Sequence, residues 1–323
     1  MLQDIRSYIK SCPDCQSRKR STQAPAGLLQ PIPVDGIPWQ RVGIDGLGPF
    51  KKSTQNNTYI IAAVCYSTKF LVAKAVPAAT ATEVAKFLMD DIICKYGMFT
   101  ILHSDRGQIF KSNLVQELVK RMGGKSSFST SFMPQSNGLI EHLNSVIAQS
   151  LSMYVSTTQD DWCTYLQASV FAYNTSIQFT TRKSPFFLNF CRQPVLPADI
   201  ALGINFENHD AEHICTRFQE VRNEVVQKIQ TEQIKQKERY DKTHRHVEFQ
   251  PGDLVLLYTP VRQVGKSDKL QHCFLGPHKI ISKVSDVNYK LQLKRRGKMI
   301  EDTVHVARLK KYFPRKNWKP QNT

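Results

Sequence analysis

The stretch Val42-Gly43-Ile44-Asp45-Gly46, with the run TYIIAAVCY over residues 58–66, decides the fold of this chain. The first segment is short and reaches an acidic residue late in its length. The second segment is a continuous apolar run, which is typical of a central strand that is buried on both faces. We therefore predict a β-sheet with residues 58–66 near its middle and with Asp45 late in a second, short strand.

The segments that follow contain both strand-like and helical patterns. Residues 70–76 predict a third strand, and residues 82–96 predict a helix that ends at Gly97. Further predicted elements are strands over residues 100–104 and 125–131 and helices over residues 113–122, 138–155 and 161–174. This mixture predicts an α/β domain with a mixed five-stranded sheet flanked by helices.

The composition changes along the chain in a way that predicts several domains. Residues 23–38 are rich in proline and glycine, which predicts a linker between residues 1–22 and a core domain over residues 39–200. Residues 201–246 predict a helical connector, because residues 211–243 lack proline and carry apolar residues at helical spacing. Short strand-like runs then predict a small basic β-barrel over residues 247–313, followed by a basic tail over residues 314–323.

The charge of the chain points to a polyanionic partner. The 323 residues carry a formal net charge of +17, and 41% of them are hydrophobic, as in ordinary globular proteins. Residues 243–323 hold 17 Lys and Arg against 6 Asp and Glu, which is +11 of that total. We therefore expect a nucleic acid as partner and its main contact in the C-terminal part.

Two classes of protein are disfavoured by the sequence. The longest apolar run, residues 59–66, is far shorter than the roughly 20 residues of a membrane-spanning helix, so we expect a soluble, intracellular protein without a membrane partner. The 8 cysteines show no regular spacing apart from Cys12 and Cys15, which argues against a secreted disulfide framework.

Three carboxylates stand where local patterns place side chains at the ends of elements. We predict Asp45 and Asp105 at strand ends and Glu141 in the first turn of a helix, so that the three could converge. Converging carboxylates are suitable ligands for Mg²⁺ in phosphodiester chemistry, where two ions can assist an in-line displacement. Each acid taken singly is equally compatible with a solvated residue or a helix cap.

The residues around these acids carry a specific resemblance. Thirty-five residues separate Asp105 from Glu141, and the flanking motifs are WQRVGID ending at Asp45, HSDRG around Asp105 and PQSNGLIE ending at Glu141. Together with PGDLV at residues 251–255 and LGP at residues 275–277, they resemble the integrases of retroviruses and gypsy-type LTR retrotransposons, which form the C-terminal part of a Pol polyprotein. The resemblance covers the chain from about residue 8 to Phe313.

This resemblance implies a fold, a reaction and partners. It implies a ribonuclease-H-like core in which Asp45, Asp105 and Glu141 bind two Mg²⁺ or Mn²⁺ ions, joined by a long helix to the small β-barrel. The implied reactions trim the 3′ ends of element DNA and join them to target DNA, with the protein acting as a homo-oligomer. It would then act in the nucleus on chromosomal DNA, and otherwise reside in the cytoplasm or in virus-like particles.

The sequence also departs from the family pattern. The family's N-terminal zinc module has two histidines before its cysteine pair, whereas no histidine precedes Cys12 here. Tetrahedral zinc requires four ligands, so we interpret Cys12 and Cys15 as a vestigial pair in a truncated module that does not bind Zn²⁺. His142 stands where arginine is usual, and Cys65 stands where many relatives have aspartate. We expect the fold to tolerate both.

Candidate DNA contacts lie in two places. Gln135 and Asn137 belong to the loop before the helix of Glu141, which either closes on substrate or simply leads into the helix. In the C-terminal part, Tyr289, Leu291 and Leu293 alternate with polar residues, so one face can be core and the other can meet phosphates. The basic candidates there are Lys290, Lys294, Arg295, Arg296, Lys298, Lys310 and Lys311.

Two other functions remain open at this stage. A domesticated or decayed descendant could bind DNA without catalysis, as the missing zinc histidines suggest. A ribonuclease H would share the fold and the metals, although the integrase-like C-terminal part argues against it.

Overall fold

The computed structural model describes residues 2–19, 22–129, 138–203, 211–259, 267, 271–295 and 298–315. Internal contacts divide the chain into a central unit, Pro31–Lys235, and a terminal unit made of Met1–Gln30 and Gln236–Thr323. No helix in the described residues combines the length and apolar character that crossing a bilayer requires.

The strands follow the predicted order. They are β1 (Arg41–Leu47), β2 (Tyr59–Cys65), β3 (Leu71–Val76), β4 (Ile101–Ser104), β5 (Lys125–Phe128), β6 (Leu254–Tyr258), β7 (Phe274–Lys283), β8 (Asn288–Arg295), β9 (Lys298–His305) and β10 (Leu309–Lys311). The short strand β10 was not predicted from the sequence.

The helices also match the predicted positions, with additions. They are α1 (Leu2–Lys10), α2 (Pro13–Arg18), α3 (Ala81–Lys86), α4 (Cys94–Tyr96), α5 (Asn113–Arg121), α6 (Gly138–Ser152), α7 (Trp162–Thr175), α8 (Pro185–Phe190), α9 (Pro197–Ala201) and α10 (Ala211–Asp241). A π-helical stretch, Phe87–Ile93, makes α3 and α4 one continuous helical segment, as predicted for residues 82–96. Helices α8 and α9 are short and were not predicted.

The sheet of the central unit has the order β3-β2-β1-β4-β5. Strand β2 pairs antiparallel with β1 and β3, whereas β1 pairs parallel with β4 and β4 pairs parallel with β5. The predicted mixed five-stranded sheet is therefore confirmed.

Both faces of this sheet are covered by helices. On one face, Val42 and Ile44 pack with the α3 segment and α5. On the other face, Ile60, Ala62 and Val64 pack with α6 and α7. These five side chains are fully buried, which explains why β2 reads as an unbroken apolar run.

Strand β2 ends at Cys65, where many members of the resembled family have aspartate. The buried Cys65 Sγ accepts hydrogen bonds from the backbone N–H groups of Trp39 at 3.1 Å and Thr68 at 3.4 Å. A thiol can therefore serve as the acceptor for these two N–H groups, and the fold tolerates it as expected.

The terminal unit contains a second sheet, in the order β10-β6-β7-β8-β9, with antiparallel pairing throughout. Tyr289 and Leu291 on β8 are fully buried and Leu293 packs partly against the same core, while Gln292 is exposed. The predicted small β-domain and its alternating strand are therefore confirmed.

Helix α2 packs against the end of this second sheet through one buried glutamine. Gln16 is only 4% exposed, its Nε2 donates to the Phe313 carbonyl at 3.0 Å, and its Oε1 accepts from the Phe313 N–H at 2.8 Å. Lys310 Nζ donates to the carbonyls of Gln16 and Lys19 at 3.0 and 2.9 Å. Residues 1–22, predicted as a separate module, thus contact the last strand of the β-domain.

We expect Gln16→Ala to destabilise the chain by about 1–3 kcal/mol, because it leaves the part-buried backbone N–H and C=O of Phe313 without their partner. Urea denaturation of the full chain measures this change. Gln3→Ala, at an exposed position of α1, is the matched control and should be neutral. Equal stability of the two variants would contradict the structural role of Gln16.

Candidate active site

Asp45 lies on β1, and Asp105 directly follows the adjacent parallel strand β4. The register of β1 and β4 pairs Arg41 with Ile101 and Gly43 with His103. Each acid lies two residues beyond this last pair, and a step of two residues keeps a side chain on the same face of a sheet. The continuation of the two strands therefore brings both acids to one face and one end of the sheet.

The prediction that both acids lie at strand ends is correct for one of them. Asp105 directly follows β4, but Asp45 lies within β1 and is paired with Ala62 of β2. The prediction for Asp45 was wrong because β2 pairs with β1 beyond this residue, up to Leu47. On its other side β1 is open at Asp45, since the pairing with the shorter β4 has already ended.

Glu141 lies in the first turn of α6, as predicted. One turn later on the same helix, Asn144 Nδ2 donates a hydrogen bond to Asp45 Oδ2 at 2.9 Å. Because residues three apart share a helix face, this bond brings the face that carries Glu141 towards Asp45. His142 is exposed on the surface of the helix.

Backbone N–H groups fix both aspartates locally. Asp45 Oδ1 accepts from the Gly46 N–H at 2.9 Å, and Asp105 Oδ1 accepts from the Gly107 N–H at 2.8 Å. A Cβ atom at position 107 would lie 2.9 Å from Asp105 Oδ1, which is too close for a side chain. A side chain at position 107 would therefore shift the Asp105 carboxylate from the position in which it accepts the Gly107 N–H.

The site holds negative charge that no neighbouring cation neutralises. Burial is the largest effect and raises the pKa of Asp45 to about 6; the Gly46 N–H lowers it, the charges of Asp105 and Glu141 raise it further, and the Asn144 amide lowers it. Within the described part of the chain, no basic side chain forms an ion pair with any of the three acids.

The residues at this site suit a divalent cation in type. Carboxylate oxygens are the ligands that Mg²⁺ prefers, and the uncompensated charge favours a cation. Asn144 Oδ1 is buried and has no hydrogen-bond partner among the residues that the structure describes, so one further oxygen close to Asp45 is available there. The arrangement of these side chains is not yet a complete metal site. Within the described residues, no group of three or more His, Cys, Asp or Glu side chains is placed so that it could hold a metal ion.

Asn144 and Gly107 are the site residues that the sequence analysis missed. The spacing of three residues between Glu141 and Asn144 was the available signal, because it places both side chains on one face of α6. Gly107 belongs to the HSDRG motif, but its contact with Asp105 becomes visible only in the structure.

Cys12 and Cys15 lie at the start of α2. Cys12 is the N-cap residue, and its pKa is lowered mainly by a hydrogen bond from the backbone N–H of Cys15. Both thiols are unpaired cysteines rather than a disulfide. The interpretation of the pair as a vestigial zinc site stays a prediction.

The predicted DNA contacts of the C-terminal part have different surroundings. Lys290 pairs with Glu301 on the neighbouring strand, and Lys310 is partly buried against the last carbonyls of α2, whereas Lys311 is exposed. The backbones of Lys294, Arg295 and Lys298 lie in β8 and β9. Gln135, Asn137 and Arg296, and the side chains of Lys294, Arg295 and Lys298, lie outside the described residues.

We expect Asp45→Asn to stabilise the metal-free protein at neutral pH. The pKa of Asp45 is raised from 3.8 to about 6, so the folded state holds its proton longer than the unfolded state does. Wild-type stability should therefore fall as the pH rises from about 4 to about 6, by on the order of 2 kcal/mol, and the asparagine variant should escape this loss.

Thermal unfolding of both proteins in a chelator, from acid to neutral pH, measures this effect. The difference in stability between wild type and Asp45→Asn should vanish at a pH low enough for Asp45 to be protonated in both the folded and the unfolded state. A difference that does not change with pH would contradict the assigned cause.

Comparison with known proteins agrees with this architecture. Residues 252–313 match the family model described as Tf2-1-like, SH3 domain. Over 312 residues, 95% of the chain, the sequence is 27% identical to the Transposon Tf2-3 polyprotein of Schizosaccharomyces pombe, and it spans 23% of the length of that protein.

Two solved structures are similar to this chain, and the first of them shows the fold. A chain of the simian T-cell lymphotropic virus intasome, in complex with PP2A regulatory subunit B56 gamma, aligns with a TM-score of 0.58, covering 97% of this chain and 91% of that chain at 13% identity. The catalytic core domain of BIV integrase aligns over 47% of this chain and 93% of that chain, at 21% identity and a TM-score of 0.38. The chain is thus a relative of the Tf2 transposon polyproteins that has the fold of retroviral integrases and carries a Tf2-1-like SH3 domain in its C-terminal part.

Proposed function

We propose that this chain is a DNA strand transferase of the integrase type, which trims the 3′ ends of element DNA and joins them to target DNA. One observation carries the proposal: Asp45 on β1 and Asp105, directly after the parallel strand β4, lie two residues beyond the same register pair, and Asn144 bonds the helix of Glu141 to Asp45. Relatedness to transposon polyproteins supports the same class of reaction.

We assign two Mg²⁺ or Mn²⁺ ions to Asp45, Asp105 and Glu141. When bound, such ions activate the attacking oxygen and stabilise the leaving oxygen of an in-line phosphoryl displacement. The chain itself supplies the ligands and their orientation. Because the pKa of Asp45 is about 6, its carboxylate is mostly ionised at neutral pH and can bind a cation without first losing a proton.

The two aspartates are held by hydrogen bonds, whereas Glu141 is exposed. The Gly46 N–H and the Asn144 amide each hold one oxygen of Asp45, and the Gly107 N–H holds Asp105. Glu141 is exposed in the first turn of α6. We therefore assign the two aspartates to a preset part of the site and Glu141 to the part that completes it when substrate is bound.

DNA is the proposed substrate and the proposed partner of the basic C-terminal domain. Lys290 and Lys310 already have partners within the chain, so we place phosphate contacts mainly at Lys311 and at the basic residues Lys294, Arg295, Arg296 and Lys298. Assembly as a homo-oligomer is part of the proposal, since the intasome to which the fold is similar is itself an assembly.

Asp105→Asn should reduce Mg²⁺-dependent strand transfer by at least about a hundredfold, because it removes a charged ligand from the metal site. The measurement is joining of a labelled element end to target DNA. Asp90→Asn, at an exposed position without an ion pair among the described residues, is the matched control and should keep full activity.

Unchanged activity in Asp105→Asn would contradict the assignment of the site. DNA binding by the unsubstituted chain without any strand transfer would instead favour the alternative of a DNA-binding descendant that has lost catalysis.

Lys311→Gln should weaken DNA binding and reduce the slope of log affinity against log salt concentration by about one, because a phosphate contact releases about one counterion. Titration of a DNA duplex at several salt concentrations measures this slope. Lys228→Gln is the control, because Lys228 pairs with Glu224 on α10 at 2.6 Å. An unchanged slope in Lys311→Gln would remove this residue from the DNA surface.

A further inference from the structure

The free edge of the central sheet carries a feature that the proposed reaction does not use. Strand β5 is the last strand of the sheet, and in the described residues it pairs only with β4. The N–H groups of Lys125 and Ser129 donate to the carbonyls of Thr100 and Ser104, so the odd-numbered residues of β5 are the ones bonded to β4. The backbone groups of Ser126 and Phe128 therefore point away from β4, towards the open edge.

A groove of about 830 Å³ lies beside this edge. Its walls are α5 and β5, with Val119 and Phe128 as apolar lining and Gly124 at the turn that joins the two elements. Val119 is buried and Phe128 is partly buried against the core of the unit, so this part of the groove is an extension of the core. A groove next to unpaired strand groups is the arrangement in which an extended peptide can add to a sheet.

The charge of the groove selects among peptides. Lys120 and Lys125 line it and are exposed, and neither lies within ion-pair distance of a described acidic side chain. Lys111 lies 5.9 Å from the centre of the Phe128 ring. The acid of the groove, Glu117, is bound to Arg121 at 2.9 Å, which leaves an excess of positive charge.

We propose that this groove binds an extended acidic peptide segment, which adds to β5 as a further strand. Its backbone would bond to Ser126 and Phe128, and its apolar side chains would lie on the α5 side of the sheet against Phe128. Its acidic side chains, which alternate with these, would meet Lys125 on the opposite side, and Lys120 adds to the positive charge of the groove. A peptide is favoured over DNA because the backbone of a peptide can hydrogen-bond to the open N–H and C=O groups of β5 and extend the sheet. DNA has no such backbone.

The first test measures binding of short fluorescein-labelled peptides to the full chain by anisotropy. Three probes of about eight residues, long enough for one strand, alternate valine with glutamate, lysine or serine. The glutamate peptide should bind at least about tenfold more tightly than the lysine peptide, and Lys120→Glu with Lys125→Glu should reverse this preference. Equal binding of the glutamate and lysine peptides would overturn the proposal.

A second test separates strand addition from simple charge attraction. Ser126→Pro removes an N–H that points to the open edge and spares the ladder with β4, while Ser126→Ala keeps this N–H. The proline variant should bind the glutamate peptide at least about tenfold more weakly than the alanine variant. If both bind equally well, the peptide does not pair with β5.

Hydrogen exchange on the unsubstituted chain gives a readout that does not depend on the folding of a variant. The glutamate peptide should slow exchange of the Ser126 and Phe128 amides, and no slowing would overturn the proposal. Displacement of the peptide by a short DNA duplex, with sensitivity to the two lysines but not to Ser126→Pro, would identify the groove as a nucleic-acid surface instead.

Discussion

The structure of the central unit depends on a constraint set by its parallel strands: the pairing of β1 with β4 brings two aspartates together at one end of the sheet. The negative charges of the two aspartates repel each other, and the burial of Asp45 adds to the free-energy cost of ionising it. Both effects raise the pKa of Asp45. The fold offsets this cost through the apolar side chains that β1 and β2 bury on both faces of the sheet. The site is therefore a strained end of a well-packed sheet, which is a suitable place for a cation.

Asn144 connects this end of the sheet to the helix that carries the third acid. Its amide satisfies one oxygen of Asp45, and it does so without adding positive charge that would compete with a metal ion. A lysine or arginine at this position would neutralise the site and lower its affinity for a cation. The neutral donor is thus consistent with the proposed chemistry, as is the lack of ion pairs between the three acids and any basic side chain that the structure describes.

The basic residues of the terminal unit do not form one uniform surface. Lys310 acts as a cap for α2, and Lys290 forms a cross-strand pair with Glu301, so both contribute to the fold. Only some of the basic side chains of this region are therefore available to bind a polyanion. Counting Lys and Arg in a sequence therefore indicates the class of partner, whereas contacts within the chain decide which cations remain free to bind it.

The sequence by itself determined the order of strands and helices, the mixed sheet and the alternating strand β8, because apolar periodicity directly reflects burial. It also singled out Asp45, Asp105 and Glu141, although the role of these residues remains a prediction. Only the tertiary structure decided that Asp45 lies inside its strand, that Asn144 reaches it, and that Lys310 and Gln16 hold residues 1–22 against the β-domain. These features depend on strand register and on contacts between residues far apart in the chain, and local sequence patterns alone do not determine either.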